Sequence, residues 1–135
     1  MKFLLDTATW INAVKEPDTV PPKLRELFAS GGEQFGLSDI SLWETVMLQQ
    51  RGRVDLGMPL EDWFRQALAK SIHLLAFTPE AAVELAKLPR TFQKDPADRI
   101  IVATTRANGL TLITPDPLIR RAAVVPVWYY RFREA

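Results

Sequence analysis

The sequence predicts an α/β protein whose parallel sheet is covered by helices on both faces. Short apolar runs of strand length alternate with segments of helical periodicity along all 135 residues. These runs are apolar enough to be buried on both sides, as parallel strands are. There is also no internal repeat, low-complexity tract or linker long enough to divide the chain. With 47% hydrophobic residues, 1–135 reads as a single domain able to bury its own core.

The elements follow in order. KFLL (2–5) is a first strand ending at Asp6, and TATWINAV continues as a helix. Pro21 and Pro22 open a second helix, with Leu24, Leu27 and Phe28 on one face and Gly31 beyond its end. QFGLS (34–38) is a second strand, followed by the helix SLWETVMLQQRG. Leu60, Trp63, Phe64, Ala67 and Leu68 then fall at i, i+3, i+4, i+7 and i+8, an amphipathic stripe. IHLLAF (72–77) is a third strand, and TPEAAVELAKL a helix with Thr78 as its cap. The segment from Asp95 to Gly109 is a mostly buried helix, TLIT (111–114) a fourth strand and DPLIRRAA a short helix. VVPVWYY closes as a fifth strand, which Pro126 assigns to a sheet edge.

Composition excludes several chemistries. With no cysteine there is no disulfide, thiol nucleophile or cysteine-ligated metal. The one histidine, His73, lies inside an apolar strand and reads as structural or superficial. No GxxxxGK[ST], GxGxxG or GxSxG motif occurs. Asp6 interrupts the first apolar run too early for a secretory signal, and no run approaches the ~18 apolar residues of a membrane span, so the cytoplasm is the expected location. A net charge of +1 requires any nucleic acid to be held by a local patch.

What stands out is the position of the acids. In a parallel sheet every strand-to-helix loop lies at one edge, where ligands bind. Asp6 follows the first strand, Glu44 falls in the first turn after the second, Asp98 opens the long helix, and Asp116 follows the fourth strand. Each has a local explanation. Asp6 and Asp116 can cap helices, Ser41 and Glu44 fit a capping box, and Asp98 suits a helix dipole. Together they would repel unless a cation neutralised them. An all-carboxylate set selects a hard cation, Mg²⁺ or Mn²⁺, and such a site suits phosphoryl chemistry.

LDTATWI at 5–11, SDISLWETVMLQQRGRV at 38–54, DPADRIIVATTRANGLTLITPD at 95–116 and the tail through PVW together resemble PIN-domain proteins of the VapC type. These are toxin components of bacterial and archaeal toxin–antitoxin pairs. The resemblance implies a three-layer α/β/α PIN-like fold with a parallel, five-stranded sheet and a Mg²⁺- or Mn²⁺-dependent ribonuclease site. The family's acids fall on Asp6, Glu44, Asp98 and Asp116, and its hydroxyl residue on Thr114. Asp95 aligns with the helix-starting position and reads as a cap. Asp39 reads as a decoy or an auxiliary, and Arg99 as either a salt bridge to the acidic loop or a substrate contact. Pro115 departs from the small residue usual there but leaves Thr114 and Asp116 in place.

The resemblance also implies an RNA substrate, a VapB-type antitoxin partner and a homodimer. Lys94, Arg99, Arg120 and Arg51 are candidate phosphate contacts, or solvated charges. Trp43, Met47, Trp63 and Phe64 are either core or a groove for an antitoxin's amphipathic segment. Two rivals differ in class. A catalytically inactive PIN-fold binding module is disfavoured by the intact acid set. A receiver-like phosphoacceptor would need an aspartate ending the third strand and a lysine ending the fifth, and neither is present.

Overall fold

The computed structural model describes residues 1–69 and 71–132. Five strands, β1 (Phe3–Leu5), β2 (Phe35–Ser38), β3 (Ile72–Leu75), β4 (Thr111–Thr114) and β5 (Val127–Tyr129), form one sheet in the order β3-β2-β1-β4-β5. Every neighbouring pair is parallel, with Leu4 opposite both Gly36 and Leu112, and Leu112 in turn opposite Val127. The helices among the described residues are α1 (Thr7–Lys15), α2 (Pro22–Ser30), α3 (Ile40–Gln50), α4 (Leu60–Ala67), α5 (Pro79–Lys87), α6 (Pro96–Ala107) and α7 (Pro117–Ala122).

Alternation along the central strands divides the core between two faces. Leu5, Leu37 and Ile113 point to one side, against Trp10 and Ile11 of α1, Leu24 of α2 and Trp63 of α4. Leu4 and Leu112 point to the other, against Ile101 and Val102 of α6 and Ile119 of α7. The chain is therefore three-layered, helices–sheet–helices, as expected. Pro126 precedes an edge strand, also as expected. Gly36 has a packing reason: a Cβ there would lie 2.8 Å from a Leu75 methyl and 3.3 Å from one of Leu110.

Three details depart from the sequence expectation. A 3-10 turn, Pro17–Thr19, separates α1 from α2. Helix α3 starts at Ile40, so Ser41 lies inside it and the expected capping box does not form. Glu44 is thus in the second turn. The suspected groove residues also divide, because Trp63 is 1% exposed in the core with Phe64 packed beside it, whereas Trp43 is 53% exposed. Among the described residues no helix is long and apolar enough to cross a membrane.

Candidate active site

The sheet topology delivers the acids to one edge. β1, β2 and β4 run in parallel and end at Leu5, Ser38 and Thr114, immediately before the segments that carry Asp6, Glu44 and Asp116. Helix α6 feeds β4 through the short turn at Gly109, so its N-terminus, with Asp98, lies at that same edge. There Asp6, Glu44, Asp98 and Asp116 line one cavity of about 380 Å³, bordered by Leu48, Ile101 and Pro115.

Asp6 is the most constrained of them, at 8% exposure. Its Oδ1 accepts from the Thr9 amide at 2.8 Å, capping α1, and its Oδ2 accepts from the Thr114 hydroxyl. Burial raises its pKa; the hydrogen bonds from Thr114 and Thr9 pull it down without cancelling that rise. Thr114, fully buried, spends its proton on Asp6 and accepts from the Asp116 amide at 3.1 Å. Asp116 caps α7 through Oδ1 at 2.8 Å, and its Oδ2 accepts from the Gln93 side chain at 3.2 Å. Below this layer the Thr9 hydroxyl joins the Ile113 carbonyl (3.1 Å) and Tyr130 (2.9 Å), and Thr7 meets Ser41 at 2.8 Å. These bonds tie α1 to β4 and α3.

On the opposite wall Glu44, Asp95 and Asp98 each offer a carboxylate oxygen within 4.8 Å of the others. Asp95 does cap α6, accepting from the Ala97 amide at 2.9 Å. The reading of Asp95 as a cap holds, and its carboxylate in addition lies within reach of Glu44 and Asp98. The signal was present in the sequence: Asp95 and Asp98 are three residues apart, one helical turn. Asp98 is pushed up to about 7, first by burial and then by Asp95, Glu44, Asp116 and Asp6. Glu44 is raised mainly by burial, with Asp95 and Asp6 adding to it. The ion pairs among the described residues involve none of these acids. The cluster offers carboxylate oxygens alone, with no ion pair to any of them among the described residues, a donor set suited to a hard divalent cation.

The remaining candidates separate clearly. Arg99 enters none of the ion pairs found among the described residues; its Nη1 donates to the Phe92 carbonyl at 2.7 Å and to that of Pro89 at 3.2 Å, clamping the loop before α6. That loop carries Gln93, which sequence reasoning missed and which reaches Asp116. Asp39 is exposed, and its Oδ2 accepts from the Phe77 amide at 3.3 Å, so it fastens β3 to β2 rather than entering the cavity. His73 is on the surface against Gln34. Arg120 packs over the Tyr129 ring at 4.7 Å, Lys94 is exposed, and Arg51 lines a second cleft beside Glu44.

Comparison with known proteins accords with this geometry. Residues 3–125 match the family model for the PIN domain. Ribonuclease VapC22 of Mycobacterium tuberculosis (strain ATCC 25618 / H37Rv) is 34% identical over 88 residues, 65% of this chain and 67% of that protein. Among solved structures, VapBC2 from Rickettsia felis, bound to a DNA fragment from their promoter, superposes with a TM-score of 0.72 at 16% identity, covering 98% of this chain and 100% of that one. FitAcB from Neisseria gonorrhoeae gives 0.58 at 26% identity, covering 93% and 96%. An edge of converging carboxylates on a five-stranded parallel sheet and a family match over most of the sequence agree, and the chain belongs to the PIN domain family.

Proposed function

We propose that residues 1–135 act as one PIN unit, the toxin of a toxin–antitoxin pair, and hydrolyse RNA as a divalent-metal-dependent endoribonuclease. The observation that carries this reading is the gathering of Asp6, Glu44, Asp98 and Asp116 around one cavity, where burial first and the neighbouring carboxylates second push Asp98 up to about 7. Asp6, Glu44, Asp98 and Asp116 would hold Mg²⁺ or Mn²⁺, and Thr114 positions Asp6. When bound, such an ion neutralises charge on a phosphodiester and lowers the pKa of an attacking water. The chain's own work is orientation. Thr9 and Thr114 hold both Asp6 oxygens, Gln93 and the Leu118 amide hold Asp116, and Leu48, Ile101 and Pro115 give the cavity apolar walls. The Thr114 proton is committed to Asp6, so the hydroxyl is no nucleophile. Water attacks phosphorus, the bond to the leaving oxygen breaks, and no covalent enzyme intermediate forms.

The purified chain is expected to cut a structured RNA with Mg²⁺ or Mn²⁺ and to stop on adding EDTA. Cleavage undiminished by chelation would sink the metal-dependent reading, and intact acids with no cleavage of any RNA would favour the binding module. The ribonuclease relative supports RNA as substrate, and the VapBC complexes support a VapB-type antitoxin as partner. The chain is also expected to form a homodimer. Light scattering that reports a monomer at every accessible concentration would exclude this.

A further inference from the structure

Beside the acid cavity lies a second cleft of about 390 Å³ that shares Glu44 and Leu48 with it. Trp43 and Met47 of α3, with Arg51 and Arg53 just beyond its end, line one side, and Asp95 and Pro96 at the start of α6 line the other. We propose that this cleft is a nucleotide subsite, in which a base of single-stranded RNA stacks on Trp43 while Arg51 and Arg53 hold the adjoining phosphate. The inference rests on the ribonuclease reading above and adds to it the surface that grips the strand.

Three observations support it. Trp43 is 53% exposed, whereas the indoles of Trp10 and Trp63 are about 1% exposed, so Trp43 is not used to build the core. An open aromatic face is a sequence-tolerant platform for bases. Arg51 and Arg53 are exposed and enter none of the ion pairs found among the described residues. Glu44, Met47 or Leu48, and Arg51 recur at helical spacing, so Arg51 sits about 10 Å along the helix from Glu44 at 1.5 Å per residue. The third is electrostatic. A polyanion that crosses a floor of carboxylates needs cations close by, and a net charge of +1 offers no global field to hold it. A purely protein-binding groove would need the apolar wall but not two uncommitted guanidinium groups beside the acids.

The test measures binding apart from cleavage, on the full chain in EDTA with a fluorescein-labelled, mixed-sequence single-stranded RNA octamer. Trp43→Ala should weaken binding about tenfold, and Trp43→Phe, which keeps a ring, should restore most of it. Arg51→Ala with Arg53→Ala should lower the slope of log affinity against log salt by about 1.4, or 0.7 for each lost phosphate contact on a single strand. Equal affinity and equal salt slope across these variants would overturn the subsite, as would failure of the unmodified chain to bind the octamer. Variants that keep RNA affinity but lose a co-expressed antitoxin would assign the cleft to the protein partner instead. Mg²⁺-dependent cleavage by the unmodified chain is scored separately, so the nuclease reading can stand when the subsite falls, and the reverse.

Discussion

Asp98 shows how a residue's surroundings set its chemistry. An isolated aspartate titrates near 3.8, whereas here burial and four neighbouring carboxylates hold the folded-state value at about 7. The folded state keeps the proton that the unfolded chain gives up. The stability linked to Asp98 is therefore fully present below about pH 4 and is lost as pH rises through 7. In EDTA, Asp98→Asn should melt higher than the unmodified chain, with a gap that widens from pH 4 to 7.5. A gap that stays flat across that range would place the charge stress elsewhere. Asp95 separates in a similar way. Asparagine caps about as well as aspartate, so Asp95→Asn should keep α6 intact and reduce the pH slope. Asp95→Ala should additionally cost about 0.5–2 kcal/mol.

At the scale of elements, the site depends on how α1, α3 and α6 are seated on the sheet. α1 is anchored from behind, where the Trp10 indole N–H donates to the Ala67 carbonyl at 3.0 Å and the ring meets Trp63 edge-on at 4.9 Å. α3 carries Glu44 inward and Trp43 outward from adjacent positions, because residues one apart on a helix face different directions. Thermal and denaturant melts should separate these tryptophans. Trp63→Ala empties a core site and is expected to cost about 3–5 kcal/mol. Trp43→Ala should stay within about 0.5 kcal/mol of the unmodified chain. Comparable losses for both would contradict the assignment of one to the core and the other to the surface.

For the whole molecule, the fold gathers charge it cannot itself neutralise, and a cation that binds only the folded state should stabilise it by mass action. Melting temperature at pH 7.5 should rise with Mg²⁺ concentration, by the equivalent of about 2.7 kcal/mol at a hundredfold excess over the dissociation constant. Asp98→Asn should blunt that rise. A melting temperature indifferent to both Mg²⁺ and Mn²⁺ would remove the cation site. The near-neutral net charge adds a further expectation, that contacts with RNA are local and the salt slope is set by the few phosphates held, at about 0.7 for each on a single strand.

Periodicity and helix punctuation were enough to read the alternation of strands and helices, the parallel sheet and the edge position of β5, since burial pattern and proline geometry are local properties. The same signals put Asp6, Glu44 and Asp116 after strands at one edge and Asp98 at a helix start, and the family resemblance joined the four into one site. Only the tertiary structure showed that the capping Asp95 also lies within reach of Glu44 and Asp98, that Arg99 clamps carbonyls, and that Gln93 reaches Asp116. It also decided that Glu44 is a second-turn residue free of capping duty and that Trp63 is core while Trp43 is open. The physical reason is that a cap is written within a few residues, whereas Glu44 and Asp95 are brought together by the packing of α3 against α6 across fifty intervening positions.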